Sequence, residues 1–451
     1  MRIEVDSVIL EADNDKEIQE PLKNAYEGRK DLFCLCSLGR PRLYLAKVED
    51  TYVSKRWPHT GHEHDPSCDH YEPKLNPGQG VMGDAITENT DTGEFTLRVN
   101  FAFSKALPKG SKSKDDEKKE PVVKQGDAKA SNPSFGLQSI LSFLWEQARY
   151  NRWYPKMEGK RHWGNVSYNL KEAASHITTK GVKLSERMFI AQRLTEKNGR
   201  YINAELATFK HSLKNTKGKK TKLGILIDQF NGIGQQGNLF QIYLKNLPNA
   251  PIMLTDKSMA GLERKFESQI NAFDYGANVI AIAQVGLTDY GDLVYERLGL
   301  LVVDSNFLPF YGMHDKELID QAVAERRRFI KPMRYELNDH ISIPGITLID
   351  TEEPIDIFVD ASTTDEPFEP VTDDPYRIWQ PMNPNGRDLP EAISSDTRID
   401  ATSPLESDAQ DTSEIDPFDE PVFEPQPEAV VGEDDSGEME LTNTPPVSAS
   451  A

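Results

Sequence analysis

The chain has 451 residues, with 52 Lys or Arg against 73 Asp or Glu, a formal net charge of −21 and 37% hydrophobic content; its mean hydropathy is −0.59. That length suits two or three domains with tails, and the polarity excludes an integral membrane protein. The longest apolar stretches, such as Asn278 to Gly286, fall far short of the ~20 residues a bilayer requires. The opening residues show no basic segment followed by a long apolar one, so the expected location is the cytoplasm. Charge is segregated along the chain. From Thr351 onwards there are 27 acidic and 3 basic residues, leaving 46 acidic and 49 basic in residues 1–350. The acidic average therefore belongs to the tail, and the near-neutral body is compatible with a nucleic-acid partner.

In chain order, residues 1–104 read as β-rich: IEVDSVIL, RLYLAKV and EFTLRVNFAF are short alternating or aromatic strands. Residues 105–131 are charged and have almost nothing to bury, which predicts a flexible linker. Residues 132–221 read as helical. Leu137, Ile140, Leu141 and Leu144 recur at helical spacing after Pro133–Ser134, NVSYNLKEAASHI supplies a second helix and KLSERMFIAQRL a third. Residues 222–360 alternate strand and helix: LGILID, NLFQIYLKNL as helix, APIMLTD, LERKFESQINAF, NVIAIAQV and ERLGLLVVD. A helix from His314 to Arg328 follows, then the paired strands ITLID and IDIFVD. Residues 361–451, rich in Asp, Glu, Pro, Ser and Thr, read as a disordered acidic tail. The expected class is a multidomain α+β or mixed α/β chain with an N-terminal metal-bearing β module.

Cysteine placement is the sharpest signal. Cys34, Cys36 and Cys68 are the only three, and His59, His62, His64 and His70 share their neighbourhood. An odd count in a cytoplasmic setting argues against a disulfide framework. Zinc takes four thiolate or imidazole donors at tetrahedral corners. FCLC supplies two, and a hairpin through RLYLAKVEDTYVSKRW brings GHEHDPSCDH back beside them. The fourth donor is His64, as Cys-x-Cys…His-x3-Cys, or His70, as Cys-x-Cys…Cys-x-His, which resembles a SWIM-type finger. With no open coordination position evident, the zinc is structural.

FCLC…RLYLAKVEDTYVSKRWPHTGHEHDPSCDHYEP resembles a bacterial family catalogued as the domain-of-unknown-function family numbered 1173. The likeness continues through LSFLWEQARYNRWYPKMEGKRHW to NFLPFYGMHDKEL and RRFIKPMRYE, over roughly residues 30–380. It implies an origin on conjugative and integrative mobile elements. It also implies that the histidine four before the last cysteine, here His64, belongs to the motif.

Residues 305–360 resemble a degenerate PD-(D/E)XK nuclease core, in which a helix glutamate and strand carboxylates hold Mg²⁺ for phosphodiester hydrolysis. Glu317 matches the helix acid and Asp356 the second-strand acid. Pro344–Gly345 stands where Pro-Asp belongs and Phe358 where the lysine belongs, leaving Asp350 and Lys331 as substitutes. Separately, Arg149, Arg152, Lys156, Lys160 and Arg161 interleave with Trp153 and other aromatics, a pattern suited to phosphates and unpaired bases. GIGQQG matches GxGxxG, but four residues separate it from its strand, so a plain turn is expected rather than a dinucleotide site. These features predict a non-catalytic, zinc-containing, nucleic-acid-associated accessory protein of a mobile element, with conjugation proteins among its partners. The rivals are a divergent Mg²⁺-dependent nuclease and a protein-interaction scaffold.

Overall fold

The structure is a computed structural model, and it describes residues 1–12, 14–48, 50–58, 60–73, 85–106, 133–214, 220–237, 239–335, 342–362 and 368–393. His59, the predicted linker beyond residue 106 and the acidic tail beyond residue 393 lie outside the described residues.

The N-terminal sheet contains β1 (Arg2–Val5), β2 (Val8–Glu11), β3 (Leu32–Cys34), β4 (Arg42–Val48) and β5 (Thr51–Arg56), in the order β2-β1-β3-β4-β5. All four pairings are antiparallel. Helix α1 (Gln19–Glu27) lies among these strands and buries Leu22 and Ala25. The sequence reading missed it because only this short apolar stripe marks it.

Residues 85–104 do not join that sheet. Strands β6 (Ile86–Glu88) and β7 (Phe95–Leu97) form a second sheet with β10 (Ile177–Thr179) and β11 (Val182–Lys183), and β7 runs parallel to β10. Strand β8 (Ser104–Ala106) pairs with β13 (Lys220–Lys222). Strand β9 (Arg152–Trp153) ends a third sheet with β19 (Phe329–Ile330), β20 (Ile346–Leu348), β21 (Ile355–Val359) and β22 (Tyr376–Trp379). Segments expected as separate domains are thus stitched together by strand pairing, and Met1–Ile399 clusters as one unit.

A barrel occupies the middle of the chain. Strand β14 (Gly224–Gln236) pairs with β15 (Leu239–Leu244), β15 with β16 (Ile252–Leu254), and β16 in parallel with β18 (Leu293–Val303). Strand β18 pairs with β17 (Asn278–Leu287), which returns to β14 and closes the ring. Helix α5 (Asp256–Asp274) connects the third and fourth barrel strands and buries Met259, Leu262 and Phe266. Strand β14 reaches two partners because it bends: residues 224–229 face β17, and from Phe230 onwards it faces β15. The register shifts between Phe230 and Ile233, and Gly232 there has φ +99. Glycine supplies this left-handed conformation at little steric cost, as a β-bulge requires.

Alternate residues of the barrel strands feed two cores. Leu226, Ala281, Ala283 and Leu300 pack with the α5 face, whereas Ile225, Ile227, Ile280, Ile282 and Leu301 pack against α2 (Leu137–Gln147) and α3 (Trp163–Ser175). Strands buried on both sides read as continuous apolar runs, as NVIAIAQV does in β17. Two expectations are corrected in this region. KLSERMFIAQRL is not a helix: β12 (Met188–Ile190) runs parallel to β14, with Phe189 in one core and Ile190 in the other. NLFQIYLKNL is the strand β15, where Phe240, Ile242 and Leu244 pack inward at period two. The region also holds α4 (Gly199–Leu213), and α6 (Met313–Ala324) precedes β19.

The tail expectation is corrected as well. Strand β22 pairs in parallel with β21, and Trp379 is 2% exposed. The Asp/Pro-rich composition around it concealed a four-residue strand whose burial comes from one tryptophan. A cut near Asp360 would remove that strand from the core.

Asp228, on β14, is fully buried. It accepts hydrogen bonds from Asn246 Nδ2 at 2.7 Å, Asn246 N at 3.0 Å and Gln229 N at 2.7 Å. Burial pushes its carboxyl up to about 7, against those bonds. In the unfolded chain it titrates near ~3.9. Between these two values the native state holds one proton more than the unfolded state. Stability therefore falls as pH rises through that window, by at most about 1.4 kcal/mol per pH unit, and levels off above it. Asp228→Asn should flatten that slope, which urea titrations at about pH 5 and about pH 7.5 would show.

Candidate metal centre

Strand pairing sets the first two donors. Cys34 ends β3 opposite Ile3 of β1, and its N–H donates to Pro41 O at 2.8 Å. Cys36 follows two residues later, so both sulfurs are presented from one side of an extended segment. The β4–β5 hairpin, in register from Leu43↔Arg56 to Val48↔Thr51, turns the chain back. A 3-10 turn at Gly61–Glu63 then delivers His64. Cys68 N donates to Asp65 O at 2.8 Å, and Ser37 Oγ donates to Glu63 O at 2.9 Å, which ties the two donor segments together.

The donor atoms of Cys34, Cys36, His64 and Cys68 lie within 4.8 Å of one another, and this group can hold a metal ion. Cys34 Sγ is 3.7 Å from Cys68 Sγ, Cys36 Sγ is 3.4 Å from His64 Nδ1, and Cys68 Sγ is 3.8 Å from His64 Nδ1. All three cysteines are free; the 3.7 Å separation is far beyond the ~2.05 Å of a disulfide. Cys34 and His64 are buried at 2% and 3% exposure. Two backbone groups point at sulfur: Asp65 N–H at Cys36 Sγ and His70 N–H at Cys68 Sγ, each at 3.4 Å. Such N–H···S bonds favour thiolate over thiol and orient the ligand.

The electrostatics follow from crowding. The Cys36 thiol is held far below the ordinary range by hydrogen bonds from Cys34 and Cys68, with further bonds from His64 and Asp65 N–H. Cys34 is raised to about 11 and Cys68 is raised further, each chiefly through a neighbouring cysteine, with burial adding to the rise. Without a cation, one thiolate forms at the expense of the other two. A bound divalent ion would let all three ionise.

His70 lies outside the group. Its Nε2 is 3.3 Å from Ser54 O on β5, and its Nδ1 is 3.9 Å from Cys68 Sγ. Burial pushes its imidazole down to about 4, so the ring is neutral near pH 7.

Residues 4–379 match the family described as "Protein of unknown function (DUF1173)". The chain belongs to that family. The match spans the metal-binding group and all three sheets together with the barrel. No curated protein and no solved structure matches the chain. No described helix is long and apolar enough to cross a membrane.

Among the described residues, the cysteine–histidine group is the only set of three or more potential metal donors within reach of one ion, and it includes none of the nuclease-like residues. Glu317 on α6 faces His314 Nδ1 at 3.6 Å and Arg387 at 3.7 Å. Asp350 accepts from Arg327 Nε and Nη2 at 3.1 and 2.8 Å and from Arg328 N at 2.7 Å. Asp356 accepts from Thr347 Oγ1 at 2.6 Å, and burial raises its carboxyl to about 6. Lys331 is buried and donates to Asp315 Oδ1 at 2.7 Å and Gly345 O at 2.6 Å. A Cβ on Gly345 would sit 2.7 Å from Leu318 Cδ2, so the aspartate such a nuclease carries there would require Leu318 to shift.

The basic–aromatic stretch is corrected in part. Trp153 is 0% exposed and Arg152 7%, with Arg152 Nη2 donating to Tyr71 O at 2.8 Å. Arg161 spends its guanidinium on the carbonyls of Tyr150, Asn306 and Arg152. A tryptophan sealed in the core cannot stack on a base, and those two arginines hold backbone together. Arg149, Lys156 and Lys160 remain exposed. The glycine-rich motif runs along β14 into the turn at Gly237, with φ +61, and β15 follows rather than a helix. This is not the strand–turn–helix geometry that cradles a dinucleotide.

Proposed function

We propose that this chain is a non-catalytic, zinc-containing accessory protein that binds nucleic acid within a bacterial mobile element. The mobile-element setting rests on the family resemblance described above. Zinc is favoured by the donor set: three thiolates and an imidazole suit a closed structural site. A tetrahedral ion with ~2.3 Å bonds to sulfur and ~2.05 Å to nitrogen has donor–donor edges of about 3.8 and about 3.6 Å. The separations of 3.7, 3.4 and 3.8 Å match that size.

The observation that carries nucleic-acid binding is the barrel. Its closed strand order, with a helix between the third and fourth strands, resembles the five-stranded Greek-key barrels that bind oligonucleotides and oligosaccharides on their second and third strands and adjoining loops. Fold alone does not carry function, so the chemistry of that face matters. Elsewhere the barrel's outer side is covered by α2 and α3, but here Gln236 is exposed and Gly234, Tyr243 and Met253 are half-buried around a buried Gln241. Tyr243 donates to Gln241 Oε1 at 2.8 Å, and Gln241 Nε2 to Gln236 Oε1 at 2.7 Å. The Tyr243 ring lies so close to β14 that a Cβ on Gly234 would meet it at 2.7 Å. On the loop between the fourth and fifth strands, Tyr290 is 94% exposed. A flat aromatic, amide groups and a projecting tyrosine suit stacked, hydrogen-bonding bases.

Fluorescence anisotropy of a labelled 20-nucleotide single strand tests this. Binding should weaken steeply between about 50 and about 200 mM salt as phosphate contacts are screened. Tyr243→Ala should cost about 1–3 kcal/mol, the typical loss of one stacked base. No binding at the lower salt would favour the scaffold reading, and Mg²⁺-dependent cleavage of the strand would favour the nuclease.

A further inference from the structure

A separate cleft lies away from the face just discussed. About 940 Å³ in volume, it lies between α5, the outer half of β18, the start of α2 and the residues leading into α6. Ligand sites typically span ~300–1,000 Å³. Its lining carries three cations, Lys265, Arg297 and Arg334, and no acidic side chain. That imbalance is notable in a body where acidic and basic residues nearly cancel, and it creates a concave, positive site.

Two buried polar atoms of the lining have no hydrogen-bond partner among the described residues: Arg334 Nε and Gln138 Oε1. Unpaired polar groups of this kind cost free energy unless a ligand or water completes them. The Arg334 guanidinium also stands 5.2 Å from the Tyr311 ring centroid, which fixes the cation at the cleft wall. Helix α2 begins beside it at Gly136, and no side chain caps its first turn. The first-turn N–H groups of an 11-residue helix therefore add to the positive field. Tyr275, 92% exposed, and Tyr295 supply planar rings on the same lining.

We propose that this cleft binds a nucleoside phosphate, either free or as one unit of a nucleic-acid strand. The phosphate sits among Lys265, Arg297 and Arg334, and the base lies against the tyrosines. The strand-borne form rests on the nucleic-acid reading above, whereas the free form does not.

The test uses the full-length protein and two probes, ATP followed by calorimetry and a labelled single-stranded 20-mer followed by anisotropy. The variants are Lys265→Ala/Arg297→Ala, whose side chains are exposed and not needed for folding, and Tyr243→Ala on the barrel face. The double variant should weaken its probe at least tenfold. If that probe is the strand, the salt slope should also flatten by about 1.4, two lost contacts at ~0.7 each. Tyr243→Ala should weaken the strand and leave ATP unchanged. If wild type binds ATP but no strand, and the double variant loses ATP, the cleft takes free nucleotides and the nucleic-acid reading falls. If wild type binds the strand, not ATP, and the double variant weakens it, the cleft holds a unit of the strand. If the double variant keeps wild-type affinity for whichever probe binds, the cleft proposal is overturned, and strand binding stands only where wild type binds the strand. If wild type binds neither probe, both fall.

Discussion

Cys68→Ser should strip the protein of its metal and unfold the N-terminal sheet. Purified wild type should carry about one zinc per chain, as a closed four-ligand site requires, and the variant well under half of that. The expected effect is large because structural zinc contributes an apparent ~10–16 kcal/mol at neutral pH in small zinc domains. A whole domain is stable by only ~5–15 kcal/mol. The core beneath the site is small, built mainly from Ile3, Val5, Leu22, Leu32, Leu43 and Leu45. Amides of β1, β3 and β4 should therefore lose hydrogen-exchange protection when the ligand is removed, while the barrel keeps its own. His64→Ala should behave like Cys68→Ser, and His70→Ala should retain the metal. Full zinc occupancy in His64→Ala, with loss in His70→Ala, would transfer the fourth ligand to His70.

The second large effect concerns Asp350. It is 6% exposed against 5% for Arg327, and the pair is bidentate with a third bond from Arg328 N. Asp350→Ala leaves a buried guanidinium without its counter-charge and should cost about 3–5 kcal/mol in denaturant titrations. Combining it with Arg327→Met should recover much of that loss, because the uncompensated charge is then gone. A catalytic carboxylate behaves differently: its loss abolishes activity with little cost in stability, and no second-site change at Arg327 would restore it.

The metal-binding group was legible because chance does not gather every cysteine of a long chain into one short stretch. Spacing alone could not choose between His64 and His70. That choice turns on the backbone carbonyl of Ser54, a β5 atom that holds the His70 ring aside. The barrel was harder to read. Its first strand changes partners at a bulge around Gly232, and the residues that mark the bulge also match a nucleotide-binding pattern. NLFQIYLKNL was assigned to a helix because strand and helix alternate around it, although its own period is two. The basic–aromatic stretch misled for a different reason. Whether Trp153 faces solvent is decided far along the chain, by β19 pairing beside it and by the core residues from α6 to β20 that it clusters with.

That last pairing bears on how the protein is made. Trp153 pairs with Phe329, Phe95 with Ile177, and Ser104 with Lys222. A nascent chain emerging from the ribosome thus exposes the apolar edge of β9 until nearly the entire folded portion has been translated. Such distant closures slow folding and leave sticky intermediates. Synthesis should accordingly lean on chaperones, and overproduction without them should yield inclusion bodies.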